Sequence, residues 1–275
     1  YSVATSFFAR HFDQVGRAIG IHVTGAPIAG LVAPVAAAAV GVRYGWRPAL
    51  LLGAAVAIPI FALFWLQIDR TPPARPDVRM RSQLEIGPLR ELLGRPQIRY
   101  TMLLSVGGAF SWQATASFLP TFLIEHHGYS AAGASLLFSG YFVVHGATQP
   151  LLGTLSDRFG RDGIAALAFG SGVVGYGSLV AGAEAVVLAA IPLVGIAMSW
   201  GAPVQSRFID VLGASEQATG FGLVRTGYMM VGALGSVVVG TLADVFGWQA
   251  AFGAVVAVLV FECLLAVLLT LRDRP

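Results

Sequence analysis

A chain of 275 residues that is 56% hydrophobic and only 11% charged, with a mean hydropathy of +0.75, excludes an ordinary soluble domain, in which about a quarter of residues are charged; the class is a polytopic α-helical membrane protein. The formal charge of +3 comes from seventeen arginines without a single lysine, which rules out a phosphate loop that needs Lys. Those arginines flank apolar runs, so the basic pI of 9.4 fits an anionic membrane surface and not nucleic acid, and a lone Cys263 excludes an internal disulfide and any cysteine-built metal site.

Crossing a bilayer core of about 30 Å takes roughly 20 apolar residues in helix. Residues Tyr1–Ala9 read as the tail of one such helix that begins before them. Eight full spans follow: Ile19–Val42, Pro48–Ile68, Ile98–Ile124, Ala131–Leu155, Ile164–Ala183, Ala185–Ser206, Ala218–Ala243 and Trp248–Leu271. Only Gly182 and Glu184 mark the division between the fifth and sixth. One long polar segment, Asp69–Gln97, carries five prolines and six arginines around a short amphipathic run, Leu84–Leu93. It is expected to be a linker between two helix bundles, with a helix along the membrane surface. Pro59, Pro150, Pro192 and Pro203 mark places where spans are expected to kink.

Alternating the loops places fourteen of the seventeen arginines on one side, against Arg43 and Arg47 on the other and Arg225 inside a span. By the positive-inside rule the rich side, with the linker and the C-terminus, is expected in the cytoplasm, in a plasma (inner) membrane. A shift of 202 residues then superposes Gly20 on Gly222, Thr24-Gly25 on Thr226-Gly227, Gly30 on Gly232, Gly45-Trp46 on Gly247-Trp248 and Arg70 on Arg272. The chain is thus expected to hold an internal repeat, 98–275 forming one complete six-helix bundle and 1–68 the end of another, joined by the 69–97 linker. The same offset puts the start of the first repeat about 100 residues before Tyr1.

Between the fourth and fifth spans lies G-T-L-S-D-R-F-G-R at 153–161. Together with the paired repeats and the basic linker, it resembles the cytoplasmic signature loop of the major facilitator superfamily, in its second-half copy. Gly153, Leu155, Asp157, Arg158, Gly160 and Arg161 fit the pattern, while Asp162 stands where a base is usual. The G-A-P-I-A-G-L-V-A-P run at 25–34, with Gly25, Gly30 and Pro34, is similar to the antiporter motif of the same family. The resemblance implies an all-α transmembrane bundle of two six-helix repeats, the first incomplete here. It further implies secondary active transport of a small organic solute by alternating access, coupled to protons, with export or antiport favoured. The partners are then the solute, protons and the lipid bilayer, with no nucleic acid and no cofactor, and the protein is expected to be a monomer. A uniporter or symporter, and a receptor or scaffold of the same fold, stay open as alternatives.

By the resemblance, Asp157 pairs with an arginine and faces the positive end of a helix in the other half, near Asp13–Arg17, which makes it a gate; the alternative is a capping turn that only sets topology. Tyr141, His145 and Gln149 recur at i, i+4 and i+8 and share a helix face, as a proton-coupling or cavity-lining set or as satisfied packing residues. Arg225 either serves the pathway or snorkels to the surface. Glu262 lies near the middle of the last span, on a helix that is peripheral in the family, so pairing or protonation in place is favoured over a pathway role. Trp112, Gln113, Trp200 and Gln205 lie on spans that line the cavity in the family and would suit an amphiphilic solute, with plain packing equally open. His126-His127 have no acidic or cysteine companions and make a poor metal site. No motif for a catalytic centre is present, so neither catalytic residues nor metal ligands are assigned.

Overall fold

The structure, a computed structural model, describes residues 2–67, 86–182, 184–213 and 216–272. All regular elements among them are helical: α1 (Ser2–His11), α2 (Val15–Val23), α3 (Gly25–Tyr44), α4 (Trp46–Gln67), α5 (Ile86–Gly94), α6 (Pro96–Glu125), α7 (Ala131–Phe159), α8 (Arg161–Ala181), α9 (Glu184–Ala197), α10 (Gly201–Val211), α11 (Gln217–Gly232), α12 (Leu234–Phe246) and α13 (Trp248–Arg272). A single 3-10 turn, Met198–Trp200, joins α9 to α10. The short helix expected after Leu84 is α5; the linker positions 69–85 lie outside the described residues.

Local chemistry explains the boundaries. Pro96 opens α6 at a position whose N–H has no intrahelical partner, and the Ser130 hydroxyl accepts from Gly133 N at 3.1 Å to start α7. Gly45 (φ 86°) and Gly247 (φ 82°), which the 202-residue shift superposes, adopt the same left-handed conformation before a helix-opening tryptophan. Three expected spans are interrupted. The first breaks at Thr24 because Pro27 offers no N–H to the Val23 carbonyl. The sixth tightens into the 3-10 turn because Pro203 likewise leaves the Ser199 carbonyl unbonded. In the seventh, the Ala233 N–H is shared between Met229 O and Val231 O just after Gly232. By contrast α4, α7 and α9 continue through Pro59, Pro150 and Pro192.

Among the described residues, six segments are long and apolar enough to cross a membrane: Val15–Ala33, Trp46–Gln67, Arg161–Ala181, Val186–Val211, Gly220–Phe246 and Trp248–Arg272. Helices α6 and α7, expected as spans, have 30 and 29 residues but are not apolar enough to join that set. They carry buried Thr101, Ser105, Ser111, Thr115, His145, Gln149 and Ser156, a composition suited to protein neighbours on most sides.

Two compact units are present, 28–84 and the combination of 1–27 with 85–275. In the smaller unit, α4 buries none of its side chains. In the larger, α13 packs along α8, α8 and α7 both pack on α9, α11 and α12 pack on α6, and α2 packs along α7. The core is continuous through these helices, with Phe122, Tyr176 and Phe252 fully buried and the Phe122 and Phe252 rings stacked at 4.1 Å. The α2–α7 crossing is backbone on backbone. A Cβ at Gly16 would lie 2.5 Å from the Gly153 carbonyl oxygen, and one at Gly20 would lie 2.6 Å from the Gln149 oxygen. Thr24 Oγ1 then donates to Gly146 O at 3.3 Å, one further turn along. Gly153→Val is expected to destabilise the protein by about 1–3 kcal/mol through overpacking, visible as a lower melting temperature in detergent, whereas the same change at open Gly140 is not.

Candidate functional site: a carboxylate latch and a buried polar cluster

The first half of the site is built on the α7–α8 turn. Gly160, at φ 95°, ends α7 and lets α8 begin at the next residue. Asp157 therefore projects from the last turn of α7 toward the start of α2, whose first N–H groups have no side-chain cap of their own. Its Oδ1 accepts from Gly16 N at 2.8 Å and its Oδ2 from Arg17 N at 2.9 Å. Arg161 Nη1 donates to the same carboxylate and to Ser156 Oγ at 3.0 Å, while its Nε donates to Asp210 Oδ2 at 2.9 Å on α10. A carboxylate at a helix start gains about 0.3–1 kcal/mol, and up to about 2 when partly buried; the Asp157 side chain is 13% exposed. Arg158 takes no part, being exposed with its guanidinium over the Phe159 ring.

The second half lies deeper between α7, the 3-10 turn and α10. Tyr141, His145 and Gln149 are all buried on one face of α7, and Gln149 Nε2 donates to His145 Nε2 at 2.9 Å. A methyl at Gly201 would lie 3.2 Å from Gln205 Nε2 and 3.7 Å from Gln149 Nε2, so the two amides converge over that glycine. Gln149 Oε1 and Tyr141 Oη are buried without a hydrogen-bond partner, and such atoms are what a polar ligand or an ordered water satisfies. Trp200 is buried against Gly108, with Phe169 and Tyr228 6.4 Å away.

The sequence matches the profile of the Major Facilitator Superfamily over residues 1–134 and 101–275, which together cover the chain. The chain belongs to the Major Facilitator Superfamily. Among solved structures it is similar to the human organic anion transporter MFSD10 (TETRAN), with a TM-score of 0.76 at 16% identity, covering 96% of this chain and 67% of that one. At that identity the likeness shows the fold. Among curated proteins, none matches in sequence.

As a superfamily member the chain is a multi-pass membrane transport protein, and its other predicted site residues are placed as follows. Gly153 is buried at the α2–α7 crossing and Leu155 is half-buried against the core. Arg225 is half-buried in α11, its Nη1 donating to Tyr228 Oη at 3.1 Å. Trp112 and Gln113 are half-buried on α6. Gly25 is exposed with open space around it; Gly30 belongs to the smaller unit, and the Pro34 side chain lies outside the described residues. His127 is tied to the α8 terminus through Leu179 O at 2.9 Å, and burial there holds its pKa below the ordinary histidine value.

The arrangement also contains residues that the sequence reading passed over. Arg207, counted among loop arginines, sits within α10 and is 8% exposed. Its Nε donates to Asp162 Oδ1 at 2.6 Å, and its Nη1 donates to Gln97 O at 3.1 Å and to Thr101 Oγ1. Asp162, the departure from the family pattern, is thus the partner of a buried cation. Thr148 Oγ1 and Ser199 Oγ, 2.7 Å apart, tie α7 to the 3-10 turn and escaped notice because neither is charged. Arg207→Ala removes the cation from the buried Asp162 carboxylate and is expected to cost about 3–5 kcal/mol of stability, while the exchange Asp162→Arg with Arg207→Asp recovers part of that loss in thermal unfolding.

Proposed function

We propose that this protein is a secondary active transporter that moves a small organic solute across a plasma (inner) membrane by alternating access. Proton coupling and export or antiport are the favoured mode. The observation that carries the reading is the Asp157 carboxylate held on the α2 N–H groups while Arg161 ties it to α10. It joins a helix of the first-repeat sequence to the second-repeat bundle through a few polar bonds beside a glycine crossing, and such a joint can part and re-form without unfolding either side.

In this reading the end carrying Arg158, Arg161 and the C-terminus faces the cytoplasm and is closed, and residues 1–68, 69–97 and 98–275 act as bundle, linker and bundle of a monomer. The solute path runs over the Tyr141–His145–Gln149 face, Gln205 and Trp200, with Arg225 supplying a cation and Trp112 and Gln113 farther along α6. His145 is the proton-carrying candidate of that face, the one imidazole beside the phenol of Tyr141 and the amide of Gln149. The fold neighbour is an organic anion transporter, and Arg225 offers a complementary charge, so organic anions head the substrate panel.

The full-length protein in liposomes is expected to show solute flux that follows an imposed pH gradient. Absence of flux across a broad panel of anionic, cationic and neutral organic solutes would overturn the transport reading. Asp157→Asn weakens the latch by about 0.3–2 kcal/mol, so flux is expected to fall by roughly twofold to thirtyfold while Arg158→Gln has little effect; equal flux in wild type and Asp157→Asn removes the gating role.

A further inference from the structure

Glu262 takes no part in the latch or the polar cluster, yet it is among the most deeply buried charged-type residues of the fold, at 2% exposed. It lies ten residues before the Arg272 end of α13, about 15 Å along the axis, and fourteen after Trp248, about 21 Å. Its carboxyl rests directly on the α6 backbone at Gly107, where an added Cβ would overlap Oε1 and Cδ and meet Cγ at 2.7 Å. Any other residue at 107 would expel the carboxyl from its seat.

Among the described residues nothing around this seat balances a negative charge. Glu262 Oε2 is buried without a hydrogen-bond partner, and none of the ion pairs among the described residues involves Glu262. Titratable groups on the helices packed against α13 are held elsewhere. On α8, Asp162 pairs with Arg207 and the Tyr176 hydroxyl bonds to Thr115. On α6, Arg99 and Tyr100 stand at one end and Glu125, bonded to Trp248 Nε1 at 2.7 Å, at the other. On α12, Asp244 is near the C-terminus, and on α13 itself Arg272 reaches Tyr100 Oη at 3.4 Å while Cys263 Sγ donates to Ala166 O. One turn beyond Gly107 on the same α6 face, Ser111 Oγ is a second buried polar atom without a partner.

We propose that Glu262 is an intramembrane proton-binding site: the carboxyl is seated on Gly107 as the neutral acid, and release of its proton requires α6 and α13 to part. An ionised carboxylate here would be unpaired and out of reach of water, the situation that proteins avoid by neutralising the group. The neutral acid instead carries no charge that the seat would have to balance. Separation of α6 from α13 is what admits water to accept the proton. Gly108, the next residue of α6, seats the Trp200 indole, so the proton site and the polar cluster share one short stretch of backbone. The proposal stands independently of transport.

Infrared spectroscopy of the reconstituted protein carrying ¹³C-carboxyl glutamate tests it without flux. A protonated carboxyl absorbs in a region free of carboxylate and amide bands, and comparison with Glu262→Gln separates its signal from those of the five other glutamates, 85, 91, 125, 184 and 216. The expected result is one label-shifted acid band at neutral pH, lost in Glu262→Gln. Absence of that band in the wild type, or its survival in Glu262→Gln, overturns the proposal. If Glu262→Gln does not fold, Gly107→Ala decides: the methyl displaces the carboxyl, so the band must move or vanish, and an unchanged band overturns the seat.

Discussion

The start of α2 has N–H groups that its own sequence leaves uncapped, and the acceptor that satisfies two of them comes from Asp157, about 140 residues away on α7. Backbone donors at a helix start must find partners, and a carboxylate answers the geometry and the helix dipole together. Nearly every unusual residue nearby follows from that contact. Gly16 and Gly153 have no side chains because the two backbones must touch for the carboxylate to reach. Gly160 takes a left-handed conformation because α8 has to begin at once, which brings Arg161 back over the carboxylate it neutralises. Ser156 and Asp210 then hold Arg161 from two further sides.

Magnitudes separate this joint from the rest of the bundle. The latch is worth a kilocalorie or two, and a shift of about 1.4 kcal/mol changes an equilibrium tenfold. The helices of the larger unit are held by wide apolar contact, in which each fully buried Leu or Phe contributes about 1.5–3 kcal/mol relative to leaving it in water. In a bilayer that transfer gain between helices falls away and close packing replaces it, which is the role of the small residues at the α2–α7 crossing. The polar bonds at Asp157 are therefore a small part of what holds α2 on α7, beside the backbone contacts of Gly16 and Gly20.

Much of this was legible in the sequence because its signals were glycines and charges set in apolar runs. The Gly-Trp pairs of the 202-residue shift proved to be matched left-handed turns, and the Asp in the 153–161 loop was expected near Asp13–Arg17, where its carboxylate bonds Gly16 and Arg17. The burial of the polar residues of α6 and α7 was not legible, because counting apolar residues over a window does not show which face a Ser or Thr occupies. On α6 the hydroxyls of Thr101, Ser105 and Thr115 bond the carbonyl four residues earlier, so these three enter a membrane helix at little cost. Arg207 was misplaced for a related reason. A lone arginine in sequence marks a water-facing end, and only the fold shows that Asp162, Gln97 and Thr101 converge on it.

The Asp162–Arg207 pair also explains how a departure from the family pattern can be accommodated. A base at 162 would face a buried arginine, and two like charges at that depth repel strongly in a medium of low dielectric constant. With an acid there, the same position joins the start of α8 to α10 and, through Gln97 and Thr101, to the first turns of α6. Asp210, three residues after Arg207, binds Arg161 one position before Asp162, so α8 and α10 exchange two ion pairs of opposite sense. The second of these is buried and fixes the helix ends; the first is partly exposed and also holds the latch residue Asp157. Removing Arg161 would therefore leave α8 anchored to α10 through Asp162–Arg207 and leave Asp157 on the Gly16 and Arg17 N–H groups, so the two ion pairs differ in what they hold: one reaches the α2–α7 contact through Asp157 and the other does not.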